Sequence, residues 1–175
     1  SELSFRAVLL AISQNYEDVF MDDILKQLLQ EEQELQFISF NETTAWRLGS
    51  QMMERAMRES LPVTIDIRRG EHQLFHASMK GTSADNDEWV NRKVRLVNRF
   101  GHSSIYMGHL LKSKGKRIEE SYLISESEFA AHGGCFPIII RDTGMVGTIT
   151  ASGLPQEEDH RLVVESIRAF LAREK

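Results

Sequence analysis

Cysteine is almost absent from this 175-residue chain, proline is scarce, and no long apolar run occurs. Cys135 stands alone, so no intrachain disulfide and no cysteine-cluster zinc site can form, which fits a reducing cytoplasm. No stretch approaches the ~18 consecutive apolar residues that a membrane-crossing helix needs. A basic excess is missing too: 21 Lys and Arg face 26 Asp and Glu, a formal net charge of −5. A dedicated nucleic-acid binder normally carries the opposite balance. There is no phosphate-cradling P-loop, no GxSxG elbow and no kinase signature, which argues against ATPase and α/β-hydrolase chemistry. The six histidines include no HExxH pair, and no calcium-loop pattern occurs, so no metal site is expected.

What is present suits one ordinary domain. Apolar residues make up 41% of the chain and charged residues 27%. A compact chain of this length buries roughly 70% of its unfolded surface and needs no staple. Residues 3–12 are apolar, but Glu2 precedes them and no small-residue cleavage site follows, unlike a secretory signal. Met21 opens a clean amphipathic helical pattern with Ile24, Leu25, Leu28 and Leu29 on one stripe, and Asp22 and Asp23 suit a helix start. Residues 1–20 are therefore expected to be an upstream extension or helical arm, and 21–175 a single domain. Deleting the first 20 residues should leave folding intact.

Downstream, Leu35–Phe40 alternates like a short strand, and Asn41 or a Ser39/Glu42 pair can cap a helix running to about Ser60. Val63–Ile67 and His72–Met79 read as a hairpin around Arg69-Gly70-Glu71. Helices are expected near Asp87–Phe100, with Asp85 or Asn86 as cap, near Ser103–Lys114, and briefly over Glu126–Ala131. Cys135–Arg141 and Met145–Ser152 form a second hairpin, and Gln156–Arg173 a final helix. Two hairpins separated by helices point to an α+β domain on an antiparallel sheet.

The charge is unevenly placed. Asn91–Arg117 holds eight Lys or Arg and no acid, so with −5 overall the remainder carries −13. Arg92, Arg95 and Arg99 share a helical stripe, which suits either a solvated face or an anion site where guanidinium forks grip carboxylate or phosphate. His132-Gly133-Gly134-Cys135 is the most suggestive histidine context, since paired glycines allow close backbone approach. Cys135 itself reads as a small buried hydrophobe.

These segments resemble a known family. His132-Gly-Gly-Cys-Phe-Pro-Ile138, the hairpin through Gly147, and Ser152-Gly-Leu-Pro155 with Asp159 resemble the GlcG/PduO/HbpS-like superfamily, also called haem-degrading-domain proteins. Asp85-Asn-Asp-x-Trp89, Arg92-Lys93, Arg99-Phe-Gly-His-Ser-Ser104 and Ala131-His-Gly-Gly134 are similar to the narrower uncharacterised protein family 0303. The resemblance covers about Met21 to the C-terminus. It implies a profilin-like α+β fold with a central antiparallel sheet flanked by helices, cytoplasmic homo-oligomers, and haem binding in some members. No axial ligand carries over to a particular residue.

The expected function is binding of a small anionic organic molecule, with a pocket drawing on Asp85, Asp87, Trp89, Arg92, Lys93, Arg99, His102, His132, Gly133 and Gly134. The alternatives are an enzyme with His132 or His160 as acid/base beside Asp159, and a haem-binding or haem-degrading protein. Free sheet edges and opposite charge segments predict a homo-oligomer, at least a dimer.

Overall fold

The computed structural model describes residues 2–174; Ser1 and Lys175, the outer ends of the two expected segments, lie outside them. Ten elements follow in order: α1 (Glu2–Glu34), α2 (Glu42–Arg58), β1 (Thr64–Arg69), β2 (His72–Ser78), α3 (Ala84–Phe100), α4 (Ser104–Ser113), α5 (Ile118–Tyr122), β3 (Cys135–Ile140), β4 (Gly144–Ser152) and α6 (Gln156–Arg173). The four strands make one antiparallel sheet in the order β2-β1-β4-β3. The protein is an α+β domain, as its sequence predicts.

Strand alternation gives this sheet two different faces. Ile65, Ile67, Phe136, Ile138, Ile149 and Ala151 point to one side, where α2 and α6 supply Leu48, Met52, Val163 and Ile167 to form the main core. The other face is polar yet buried, with Thr64, Asp66, Thr148, Thr150 and Ser152. Helix α3 covers it through Val90, Val94 and Val97, which pack with Cys135. Asp66 is fully buried there, and it accepts hydrogen bonds from Arg68 Nε at 2.6 Å and Gln73 Nε2 at 2.7 Å. His76 Nδ1 adds a third contact at 2.8 Å.

Helix α1 passes through Met21 without a break, so Asp22 and Asp23 sit in its interior rather than at a start. Residues 2–20 are exposed throughout, while the second half docks on the body. Buried Glu32 accepts a hydrogen bond from Ser103 N at 2.7 Å and pairs with His102 Nδ1 at 2.7 Å. Its neighbour Glu31 pairs with His160 Nε2 at 2.7 Å. The Glu31 and Glu32 side chains thus pin α1 to α6 and to the start of α4.

Three other sequence expectations change. The strand expected over 35–40 shrinks to a parallel bridge between Phe37 and Ile140, because Asn41 starts α2 at once with a reciprocal cap to Thr44. The helix expected over 126–131 is a turn; Ser127 N donates to Ser125 Oγ at 3.2 Å and Glu126 N to Glu119 Oε1 at 3.0 Å. Side-chain acceptors there satisfy the backbone locally and compete with helix formation. The short helix forms earlier, as α5. Helix α3 starts at Ala84 after Ser83, whose N–H donates to Asn86 Oδ1 at 2.9 Å, so neither Asp85 nor Asn86 is the cap residue.

Candidate functional site

The C-terminal half of the fold carries two clefts that share the side chains of Trp89 and His132. The residue spacing of α3 explains the division. Arg92 and Lys93 follow Trp89 by three and four residues and so flank its ring on either side, Arg92 in the first cleft and Lys93 in the second, turned toward β4 and α6.

The wider cleft, 630 Å³, lies between α3, α4 and the loop after α5. Four cations line it, Arg92, Lys112, Lys116 and Arg117, against the single acid Glu126. Leu111, Ile118 and Phe129 provide apolar wall. The Arg92 guanidinium stacks over the Trp89 ring at 4.1 Å and donates to the Glu126 carbonyl at 3.2 Å. Stacking of this kind fixes a guanidinium plane while leaving N–H groups free for an anion.

The narrower cleft, 390 Å³, is bounded by Asn86, Trp89, His132, Ser152 and Gln156, with Lys93 and Asp159 at its base. Both ionic side chains are 3% exposed. Lys93 Nζ donates to Asp159 Oδ2 at 3.3 Å and to the Ala151 carbonyl at 3.2 Å. Asp159 also accepts from Leu154 N at 3.0 Å and Gly153 N at 3.3 Å. Burial pulls the Lys93 pKa below its ordinary value, and the Asp159 charge opposes that fall. Burial likewise pushes Asp159 up, against Lys93 and the two amides. Glycine is required beside this pair. A Cβ on Gly134 would overlap the Ala151 carbonyl oxygen and lie 2.7 Å from Lys93 Nζ, and the residue sits at φ +131°.

His132 packs edge-to-face on Trp89, with ring centroids 5.3 Å apart. Burial lowers its pKa first, and the Lys93 and Arg92 cations lower it further, which favours the neutral imidazole near pH 7. Cys135 is fully buried, and burial pushes its thiol up to about 12, so it is packing material rather than a nucleophile.

Of the residues singled out in the sequence, the clefts unite Trp89, Arg92, Lys93, His132 and Asp159. The others do different work. Arg99 lies over the Phe100 and Phe129 rings at 5.9 and 5.7 Å. Asp87 Oδ1 lies 3.1 Å from His76 Nε2, and Asp85 is exposed at the start of α3. His102 and His160 are held by Glu32 and Glu31 and line neither cleft. The Gly133 amide donates to Gln156 Oε1 at 3.0 Å, so it does not face the clefts as a free anion donor. Lys112, Lys116 and Arg117 belonged to the basic segment without standing out, because no local pattern shows that α3 and the end of α4 converge. Ser152 stood out only as a strand end within the segment that carries the family resemblance, and Gln156 only as the start of the last helix.

Comparison with known proteins matches residues 40–168 to the family described as haem degrading protein HbpS-like. A UPF0303 protein of Streptomyces avermitilis is 45% identical over 149 residues, covering 85% of this chain and 91% of that protein. The chain belongs to the UPF0303 family of HbpS-like proteins. A UPF0303 protein of Psychromonas ingrahamii is also 45% identical, over 82% of this chain and 90% of its own. Among solved structures, the Ybr137w protein is 35% identical with a TM-score of 0.80, covering 86% and 88% of the two chains. A PduOC:haem complex has a TM-score of 0.60 at 20% identity, covering 75% of this chain and 93% of that one, a likeness of fold.

His132 is the one histidine lining either cleft among the described residues, and it favours the neutral form an iron ligand requires. The wider cleft places cations beside apolar wall, the pairing that a porphyrin with its carboxylates would use. No helix of the described residues is long and apolar enough to cross a membrane, and no group of three or more His, Cys, Asp and Glu among them could hold a metal ion.

Proposed function

We propose that this family member binds a small anionic organic molecule in the wider cleft. The observation that carries the reading is the convergence of Arg92, Lys112, Lys116 and Arg117 on one concave, partly apolar surface with Glu126 as the only acid. The Trp89–Arg92 stack would orient a planar carboxylate or phosphate ester, and the apolar wall would take its hydrocarbon part. A thermal-shift screen of carboxylates and phosphates tests this. At a ligand concentration of about 100 Kd the stabilisation is about 2.7 kcal/mol. Lys112→Ala combined with Lys116→Ala should abolish the shift while leaving the ligand-free melting temperature nearly unchanged. Arg92 is a poorer probe, because it also braces the Glu126 carbonyl. No shift with any anion would sink the reading.

Haem is the second reading, favoured by His132 and the basic rim. His132 would hold the iron through a ring nitrogen, and Arg92 and Lys112 would pair with the carboxylates; bound iron would supply redox chemistry. A Soret band after haem titration, lost in His132→Ala, would support it. Should catalysis accompany binding, His132 and Asp159 are the acid/base groups at the clefts, and His160 is engaged by Glu31.

We further propose that the folding unit begins near Met21, that the protein is a closed homo-oligomer of at least two copies, and that it works in the cytoplasm. The oligomer is supported by β2 ending the sheet and by the exposed Leu3, Phe5, Leu10 and Phe20 on α1. Sedimentation at micromolar concentration that gave only a 20.1 kDa species would refute it.

A further inference from the structure

We propose that the Lys93 amine, with Asp159 as its proton partner, forms a reversible imine with a small aldehyde or ketone in the narrower cleft. This is a second binding chemistry, separate from anion capture in the wider cleft, and either can fail without the other.

A lysine that served only to tie helices together would need no cleft above it. Here the Lys93 side chain, 3% exposed, rises from α3 and lines a 390 Å³ concavity together with Asp159. Two of its three donor positions are taken, by Asp159 Oδ2 at 3.3 Å and the Ala151 carbonyl at 3.2 Å. Gly134 makes the room, because any side chain there would meet Nζ. The walls suit a small oxygenated molecule. Asn86 and Ser152 bring an amide and a hydroxyl, and Gln156, whose Oε1 is held by the Gly133 amide, keeps its Nε2 for donation. Trp89, its ring centroid 6.0 Å from Nζ, closes one side with an apolar surface.

The chemistry balances within the pair. Asp159 takes one proton from the Lys93 ammonium, and the freed nitrogen lone pair attacks the carbonyl carbon. The carbonyl oxygen becomes the carbinolamine hydroxyl and leaves as water, having taken two of the three ammonium protons. Asp159 relays the proton it first received. The product is a protonated imine carrying the same single positive charge opposite the same carboxylate. Charge in the buried site is therefore conserved through the reaction, and no uncompensated ion is created. Burial, which lowers the Lys93 pKa, favours the free amine that must attack.

Reductive trapping tests the proposal on the native protein. Incubation with pyruvate and cyanoborohydride at neutral pH, followed by peptide mapping, should label Lys93 ahead of the surface residues Lys80, Lys112 and Lys116. In urea the preference should vanish. Asp159→Asn, checked for folding by circular dichroism, should cut Lys93 labelling at least tenfold and leave the surface lysines unchanged. Labelling confined to surface lysines in the native protein, with Lys93 modified only on unfolding, would overturn the imine. Undiminished Lys93 labelling in a folded Asp159→Asn protein would overturn the proton partnership.

Discussion

Lys93→Met is the sharpest perturbation of the buried pair. Methionine keeps the volume and the unbranched stem but removes the cation and both of its hydrogen bonds. Asp159 is left 2% exposed, still accepting from the Leu154 and Gly153 amides at 3.0 and 3.3 Å. Removing one member of a buried pair costs about 3–5 kcal/mol. The two amides retain part of the carboxylate's stabilisation, so the expected loss at pH 7 is about 3 kcal/mol. The loss must also depend on pH. Burial already holds the Asp159 pKa above 3.8, and Lys93 is the leading influence lowering it, so the variant's value rises further. A carboxyl whose folded pKa is raised binds its proton first in the folded state, so stability is gained as pH falls through that pKa toward 3.8. The deficit of the variant should therefore shrink between pH 7 and pH 4, just above the unfolded value. Urea denaturation at both pH values, followed by circular dichroism, measures it. A deficit below about 1 kcal/mol at pH 7, the scale of one ordinary hydrogen bond, or one that grows on acidification, would refute the reasoning.

Gly134→Ala should cost about 2–5 kcal/mol, from strain at φ +131° together with overlap on the Ala151 carbonyl. Gly144→Ala, at φ +114° with open space around it, should cost only the strain, about 1–3 kcal/mol. Equal losses in parallel urea titrations would remove the packing argument. Glu32→Gln should destabilise by about 1–3 kcal/mol, because a buried charged acceptor of His102 and Ser103 N is lost; a change under ~0.5 kcal/mol would show that α1 is not anchored there. For His132 the lowered folded pKa means that stability is complete above the unfolded value of 6.5 and falls as pH drops from there through the folded pKa. His132→Gln should flatten melting temperature against pH between 7.5 and 5.5, leaving the share contributed by His109, whose pKa burial also lowers. An unchanged slope would count against it.

The elements were legible where pattern and punctuation agree. β-branched runs broken by Arg69-Gly70-Glu71 and Asp142-Thr-Gly144 can hardly be anything but hairpins, and apolar residues at helical spacing mark α2, α3 and α6. Those segments decide the α+β class on their own. The extended stretch at 35–40 and the turn at 125–129 misled for a physical reason: their backbone groups are satisfied by single partners, Phe37 by Ile139 and Arg141, Ser127 by Ser125. Such choices leave no periodic trace.

The site divides along the same line. Trp89, Arg92 and Lys93 were visible as residue types on one helix, and His132-Gly133-Gly134 as a loop that must approach something closely. Local sequence alone does not reveal that Lys93 turns inward onto Asp159, 66 positions away, while Arg92 turns outward toward Glu126. Both are cations on neighbouring positions, and only the packing of α3 against the polar face of the sheet separates them. His102 and His160 show the reverse case. Each had the chemistry of a candidate site residue, and each is held instead by a glutamate of α1, because that helix docks where they point. Sequence by itself determined which groups were available and which segments would be helix or strand. Tertiary structure decided which charges meet across the chain, because contacts between elements far apart in sequence exist only once the sheet has formed and the helices lie on it.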